Sequence, residues 1–575
     1  MSRPGPLPTD RVMGIETEYG ILGAGAAEVI GACLEAARRD GRPEGVRWDY
    51  TAEQPLRDAR GFEMRREDAH PAMLTDETGA PGPVPGARAP RTSAAARLTD
   101  LEESWQRGTS TCLPDGGRLY DDHGHPEYAT PECSTPAQAV LHDLAGQTLL
   151  ADGAALLASR GSPVRLFKNN IDGKGASYGT HENILVPRAV PFEALAQALI
   201  PLLVARPLLT GAGRAGTGVV TSGARLQASQ RADYIETVIG LPTVMNRPLI
   251  NTRDEPHADP ARWRRLHLIP GDASAFPTIT WLALGIAALV CRCAEDPAPG
   301  AAPWRRLALA DPITELRAVS RDTSLAHRLA LADGGSADPL DVLDAYLDAV
   351  VAHLDRAGAP HPAPESDPLA PDLAALADGL DADGRETGAL LAFWEASINE
   401  LRRLRAGEPG AAGHLEWVAK GELLRATAQR HPGPAGEPVL HAVDLAWGEL
   451  GTGLAHRVPA AAAAAGGLDE ARIRAALATP PPTTRAWLRG RLLARFPGAV
   501  RAAGWQAVVL DAGGEHDERL ALDEPTAYGR TRTEPLLRAP GTPRDFLEAL
   551  VGTGRLGPPQ AAALTGAGTP TCPRP

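Results

Sequence analysis

Four short segments place polar residues of catalytic type two positions apart. MGIETEYG (Met13–Gly20) carries Glu16 and Glu18, and RLYDD (Arg118–Asp122) carries Arg118, Tyr120 and Asp122. HENIL (His181–Leu185) carries His181 and Asn183, and RLHLI (Arg265–Ile269) carries Arg265 and His267. Side chains alternate between the faces of an extended chain, so each set shares one side of a strand. Ile15, Thr17 and Tyr19 then face away from the two glutamates, as Leu266 and Leu268 face away from Arg265 and His267. A single such pair is the ordinary pattern of a solvated sheet. Four together, built from Glu, Tyr, His and Arg instead of Lys, Thr, Ser and Gln, point to a site. Carboxylates completed by imidazole suit a hard cation, and arginines with an asparagine suit phosphate oxygens. The pattern predicts an open sheet whose concave face cradles ATP and Mg²⁺. Zinc would call for a tighter His/Cys set.

Those side chains need strands to carry them and helices to back the strands. Strand-like stretches run at Arg11–Leu22, Gly117–Ala129, Val164–Lys168, Ser177–Val186, Arg225–Gln227 and Leu266–Ile269. Helical periodicity fills Ala26–Arg39, Pro136–Leu157 and Pro191–Leu209, and Thr278–Glu295 reads as a buried helix. Beyond Asp341 the chain reads as mainly helical until the strand-like WQAVVL at Trp505–Leu510. Strands and helices without regular alternation predict an α+β fold, and no Walker-type or GxGxxG loop occurs. Two further polar segments, KNNIDGKGASY (Lys168–Tyr178) and NTRDEPHAD (Asn251–Asp259), lead into His181 and Arg265 and are read as substrate or phosphate contacts.

Composition narrows the classes. The chain has 575 residues, a hydrophobic fraction of 43% and a net charge of −13, which excludes global disorder and argues against a nucleic-acid partner. No apolar run is long enough to span a bilayer and the N-terminus lacks a leader-like apolar stretch, so a cytoplasmic protein without a membrane partner is expected. Six scattered cysteines form neither a disulfide framework nor a CxxC pair. The 60 glycines and 53 prolines gather in spacers at Gly79–Thr92, Asp296–Pro303, Gly358–Asp372 and after Gly557, which are expected to be mobile. Pro459–Gly467 reads as a helix end or a low-complexity insertion. Only Lys168, Lys174 and Lys420 are lysines among 58 basic residues, and two of the three fall in KNNIDGKG. That placement suggests a role at the site.

The segments MGIETEYGI, GRLYDDHGHPEYATPE, LFKNNIDGKGASYGTHEN, LTGAGR, SQRADYIE, NTRDEPHADPARWRRLHLIPGDA and TRAWLRGRLLARF strongly resemble the Pup ligase and Pup deamidase/depupylase family. The likeness is near-continuous from Arg11 to about Ser320 and patchier to about Leu537. It implies the fold of glutamine synthetase: a large domain, residues 1–435, with an antiparallel sheet forming the ATP/Mg cradle on helices. A small C-terminal domain with a disordered tail, residues 436–575, would follow. Position by position, the resemblance implies metal ligands at Glu16, Glu18, Tyr120, Glu127, His181 and His267. It implies nucleotide contacts from Arg118, Thr130, Asn183, Arg265 and Trp505, and a catalytic aspartate at Asp122. Ser274, Pro270 and Asp121 depart from the usual pattern.

Two branches share these motifs. The 104 residues from Glu18 to Asp122 hold RWDYTAEQPLRDARGFEM (Arg47–Met64), which resembles the loop of the deamidase branch at about residues 40–110. DHGHPEY is also closer to that branch. The resemblance therefore implies a hydrolase that converts the C-terminal Gln of Pup to Glu and cleaves Pup from target lysines with ATP and Mg²⁺ bound. Its partners would be Pup and pupylated proteins. The alternative is a Pup–protein ligase acting through a γ-glutamyl phosphate, and a non-catalytic Pup-binding adaptor is a third reading. Arg206, Arg214, Arg225 and Arg231 are candidates for a groove binding acidic Pup.

Overall fold

The computed structural model describes residues 11–65, 67, 110–172, 176–218, 222–243, 245–295 and 303–553. The spacer at 79–92, Lys174, nearly all of the spacer at 296–303 and the tail after 557 lie outside them, as does the second half of the 40–110 loop.

Eighteen strands are described, in chain order β1 (Met13–Glu18), β2 (Gly20–Leu22), β3 (Val46–Trp48), β4 (Ser110–Cys112), β5 (Arg118–Asp122) and β6 (His125–Ala129). Then come β7 (Arg165–Phe167), β8 (Thr180–Pro187), β9 (Arg214–Thr217), β10 (Ser222–Gln227), β11 (Thr237–Gly240) and β12 (Pro248–Asn251). The remainder are β13 (Trp263–Gly271), β14 (Leu329–Ala330), β15 (Ser336–Ala337), β16 (Val500–Ala503), β17 (Ala507–Leu510) and β18 (Glu518–Ala521). Twelve of them make one mixed sheet in the order β11-β12-β13-β8-β1-β6-β5-β4-β3-β16-β17-β18. Its centre is antiparallel, while β11 with β12 and β3 with β16 run parallel. The fold is α+β.

Alternation along the central strands decides which face is covered. Met13, Ile15, Ile184, Val186, Leu266 and Leu268 turn to one side and join the largest apolar core. The helices Phe192–Ala205, Pro277–Glu295, Pro339–Ala357 and Arg385–Arg405 complete that core. Helix Pro277–Glu295 is long and apolar enough to cross a bilayer, but 78% of its apolar window is buried inside the protein. A second core gathers Trp48 and Cys112 with Trp487, Leu492, Val508, Leu510, Leu520, Phe546 and Leu550. Residues from Trp447 to Leu477 still pack on the first core and on a third around Tyr128 and Leu149.

The remaining expectations meet local packing. Spacer 358–372 is laid against the start of helix Arg385–Arg405, where a Cβ at Gly384 or Gly388 would run into the carbonyl oxygens of Pro360 or Pro362. Gly384 also needs its positive φ of 73°, which only glycine adopts freely. Within 459–467, Ala461–Ala464 forms one helical turn with Ala464 buried.

Lys168 is not at the catalytic face. Its ammonium is 2.6 Å from Asp143 Oδ2, and Asp143 Oδ1 accepts the Thr17 hydroxyl at 2.8 Å on the covered side of β1. Lys168 thus braces the strand bearing Glu16 and Glu18 from behind. Asp143→Ala would leave this ammonium buried and unpaired, at a cost of ~3–5 kcal/mol. A markedly lower Tm is expected, with Lys168→Met better tolerated. Lys420 is buried as well, donating to Gly213 O at 2.9 Å and pairing with Asp444.

Candidate active site

The open face of the sheet collects the polar pairs into one surface. Register puts Glu16 opposite His181 and Ala129, and Glu18 opposite Glu127. Tyr120 lies opposite Glu127, Asp122 opposite His125, and His267 opposite Asn183. Side chains from five adjacent strands therefore share a face, which sequence spacing within each strand could not establish across strands. Asp122 ends β5 at a two-residue hairpin whose His123 and Gly124 both have positive φ, 52° and 86°. Such a turn matches the twist of the flanking strands. Asp121 Oδ1 accepts the Gly124 N–H at 2.8 Å and fixes that turn.

Two clefts meet on this face. One, of about 540 Å³, is mainly apolar: Val12, Ile15, Leu185, Pro256, Pro525 and Trp505 wall it, with Thr130, Asn183, Arg265 and Arg485 at its polar points. Gly14 forms its floor, and a Cβ there would stand 3.0 Å from Thr130 Oγ1. That hydroxyl accepts the Ile15 N–H at 3.0 Å. The second cleft, of about 1010 Å³, is polar and holds Glu16, Arg118, Tyr120, Asp122, Glu127, His181, Arg265 and His267.

Within the polar cleft two groups of possible ligands form, Glu16 with His181 and His267, and Glu18 with Asp122 and Glu127. In each group the donor atoms lie within 4.8 Å of one another. His181 Nδ1 stands 3.2 Å from Glu16 Oε2, and the His181 and His267 rings meet edge to face at 5.1 Å. Both ring nitrogens of His267 are buried without a hydrogen-bond partner. Burial and the neighbouring Arg265 and His181 push its pKa well below the ordinary histidine value. Burial likewise lowers His181. Neutral imidazoles beside carboxylates are a donor set suited to a divalent cation. Tyr120 stays a neutral phenol, because burial and the charge of Glu127 raise it well above its usual range.

The carboxylates divide in protonation. Burial opposes ionisation of Glu16, but the hydrogen bond with His181 and the charges of Arg265 and Arg253 bring it down to about 2. Glu18 is raised to about 8 by burial and by Asp122, against the Gly179 N–H and Arg231. Burial and three neighbouring carboxylates raise Glu127 well above its ordinary value. Asp122 is ionised: burial opposes this, but His123, whose Nδ1 lies 3.0 Å from Oδ2, and a hydrogen bond with Glu18 outweigh it. The site thus holds two ionised carboxylates, Glu16 and Asp122, beside two carboxylic acids, Glu18 and Glu127, that a cation would deprotonate.

Three further groups border the site that spacing within the motifs did not disclose. Arg118 is caged by Trp48, Tyr50 and Tyr120, with its guanidinium 4.5, 5.2 and 4.1 Å from their ring centres. Glu53 Oε1 accepts from Arg118 at 3.3 Å and from Trp48 Nε1 at 2.7 Å. Segment Arg47–Met64 thus lies against the cleft, tied to the 251–257 loop by Thr252 Oγ1 to Asp58 at 2.6 Å. From that loop Arg253, Glu255 and His257 face the cleft, whereas Asp254 pairs with Arg188. Arg231 is 1% exposed, and its Nε and Nη1 lack partners although it interacts electrostatically with Glu18. Arg206 is buried and forks onto Glu182 at 2.7 and 2.8 Å, while Arg214, beside Asp233, lines a separate cleft with Asp172, Gln230 and His441. Ser274 is buried against Glu416 and accepts the Phe276 N–H, which makes it structural.

Comparison with known proteins adds to this geometry. A family model described as "Pup-ligase protein" matches residues 11–509. The "Pup deamidase/depupylase" of Mycobacterium tuberculosis (strain ATCC 25618 / H37Rv) is 36% identical over 560 residues, covering 95% of this chain and 100% of the relative. The "Depupylase" of Acidothermus cellulolyticus is 37% identical over 556 residues, covering 94% and 99%. The "Pup--protein ligase" of Nocardioides sp. is 37% identical over 402 residues, covering 68% and 82%. Among solved structures, the complex of Pup with its ligase PafA superposes with a TM-score of 0.65 at 25% identity over 100% of both chains. PafA in complex with ADP superposes with a TM-score of 0.62 at 28% identity, covering 82% of this chain and 98% of that one.

Proposed function

The chain belongs to the Pup-ligase protein family, and from that premise we propose that it is a Pup deamidase/depupylase. It hydrolyses the side-chain amide of Pup's C-terminal Gln and the isopeptide bond between Pup and target lysines. The observation that carries this over ligation is coverage. In sequence, the relatives named for deamidation and depupylation align with 94–95% of the chain, and those named as ligases with 68–77%.

Nucleotide is assigned to the paired clefts, with the base in the apolar one beside Thr130, Asn183, Arg265 and Trp505, and phosphates toward Arg118. The ADP-bound relative of the same fold supports this. Glu16, His181 and His267 would hold one Mg²⁺, and Glu18 and Glu127, with Tyr120 beside them, a second. When bound, Mg²⁺ supplies positive charge against the phosphates and against an oxygen that gains negative charge.

The chain's own groups supply the rest. Asp122, ionised at the mouth of the cleft, attacks the amide carbon or takes the proton of the attacking water. The C–N bond breaks and nitrogen leaves as ammonia or as the target's lysine amine after gaining a proton; where Asp122 attacked, water then cleaves the acyl–Asp122 anhydride and frees the aspartate, so on either route amide and water give carboxylate and amine. The Arg231 guanidinium, whose Nε and Nη1 have no partner, is the candidate donor to the oxygen that becomes anionic. We also propose that the small domain begins at Thr484 instead of residue 436, because the second core takes up from Trp487 and residues up to Leu477 pack on the other cores.

Turnover of Pup ending in Gln, followed by ammonia and ADP together, tests the reading. Ammonia well in excess of ADP is expected. Conjugation of Pup ending in Glu to lysines with one ADP per bond would establish the ligase instead.

A further inference from the structure

The motif TRAWLRGRLLARF has no part in the chemistry above, yet two of its arginines are among the most deeply buried in the protein. Thr484 caps the helix Arg485–Arg495, its hydroxyl accepting the Ala486 N–H. Arg485 and Arg489 stand four residues apart on one face of that helix, 2% and 0% exposed. Both reach Glu132, which follows β6 on the opposite wall of the nucleotide cleft. Arg485 Nε donates to Glu132 Oε1 at 2.7 Å, Arg489 Nη1 donates to the same oxygen at 3.2 Å, and Arg489 Nη2 donates to Oε2. Burial opposes the charge on Glu132, but the two guanidiniums hold it at about 2.

The same contacts extend to the wall of the base cleft. Arg489 Nη1 donates to Trp505 O at 3.2 Å, and its guanidinium lies 5.1 Å from the Trp505 ring centre. Arg489 Nη2 also donates to Gly116 O at 2.6 Å, in the turn before β5. Arg485 Nη1 donates to Leu522 O at 2.7 Å, close to Pro525. Thr484 Oγ1 donates to Glu132 O at 2.6 Å. One carboxylate therefore gathers the elements that carry Arg118, Thr130, Trp505 and Pro525.

We propose that Glu132 is a positioning residue: through Arg485 and Arg489 it bolts the small domain to the sheet and so sets the width of the nucleotide cleft. Docking of the small domain and binding of nucleotide are then coupled, each favouring the other by the same amount. Glu132 acts through the two arginines and takes no part in amide hydrolysis. The inference rests on the nucleotide assignment above and not on which Pup reaction follows.

The test uses the full chain carrying Glu132→Gln, with Arg489→Lys as a second variant that keeps charge and loses the planar fork. Lys420→Met, which strands the Asp444 carboxylate, serves as a control for loss of stability away from the cleft. ADP affinity is measured by calorimetry without Pup, and kcat on Pup-Gln at saturating ATP. Glu132→Gln and Arg489→Lys are each expected to weaken ADP binding tenfold or more while kcat at saturating ATP falls less than threefold. Both should gain less Tm than the unmodified protein does from the same ADP concentration. Unchanged ADP affinity in the variants, or an equal loss in Lys420→Met, would overturn the proposal. Normal ADP binding without any Pup turnover in the unmodified protein would instead sink the functional reading alone.

Discussion

Asp122→Asn is expected to lower kcat for ammonia release from Pup-Gln by about 10³-fold, in the middle of the range for a positioned base. The substitution preserves the size of the side chain and removes the only carboxylate of its group that is held ionised against burial. ADP affinity should change little, because the base cleft is walled by other residues. The check is kcat and KM with Pup-Gln beside an ADP titration of the same preparation. Residual activity within tenfold of the unmodified enzyme would remove Asp122 from the reaction. His123→Ala offers a graded companion: the imidazole is 40% exposed, so its loss should raise the lower limb of the pH–rate profile without abolishing turnover. A role confined to folding would leave that limb in place.

A second large effect belongs to stability. Glu386, 1% exposed, accepts the Ala137 N–H at 2.7 Å and Trp281 Nε1 at 2.9 Å on one oxygen, while its other oxygen has no partner. Burial raises its pKa to about 8, with Asp381 adding to the shift. A carboxyl whose folded pKa exceeds its unfolded value stabilises the fold fully below about pH 4.5. That contribution is lost as pH rises to about 8. From a shift of this size, the loss is roughly 3 kcal/mol at pH 7 and about 5 kcal/mol above pH 8. Glu386→Gln mimics the protonated form at every pH. Its Tm should match that of the unmodified protein near pH 4.5, exceed it increasingly between pH 5 and 8, and then run parallel. A Tm difference independent of pH would show that Glu386 is not the group responsible.

Much of the site was legible because alternation in a strand is a strict rule. Glu16 and Glu18, Arg118 and Tyr120, His181 and Asn183, and Arg265 and His267 each had to share a face. The order of strands did not follow from that rule, so the pairing of Glu16 with His181 and of Glu18 with Glu127 needed the fold. Strands β3 and β4 have three residues each, too short for any period to be visible, yet they join two halves of the sheet. Lys168 was read toward the site because a lysine in a polar segment leading into His181 resembles a phosphate contact. Its partner Asp143 lies on a helix 25 residues earlier, and only packing brings them together. Glu132 ends the motif GRLYDDHGHPEYATPE, but nothing in that motif disclosed its partners. A lone glutamate before a cysteine gives no hint of two arginines more than 350 residues downstream. Arg231 could be picked out from the other arginines only once its unpaired nitrogens were visible.

The parallel pairing of β3 with β16 has a consequence for how the chain must be made. Ala502 and Ala503 lie beside Arg47 and Trp48, and the second core contains Trp48 and Cys112. During synthesis from the N-terminus, Trp48 therefore emerges about 450 residues before the strand that covers it. At ~5–20 residues per second that delay is on the order of 20–90 s. Throughout it, the β3 edge and the indole of Trp48 lack the strand and apolar side chains that later cover them. The first and third cores can close from chain already made, whereas the nucleotide cleft can close only near the end of translation. A nascent chain stalled before residue 500 would thus carry Glu16, Asp122 and His181 on a sheet without Trp505, and should hold ADP poorly however well its helices have packed.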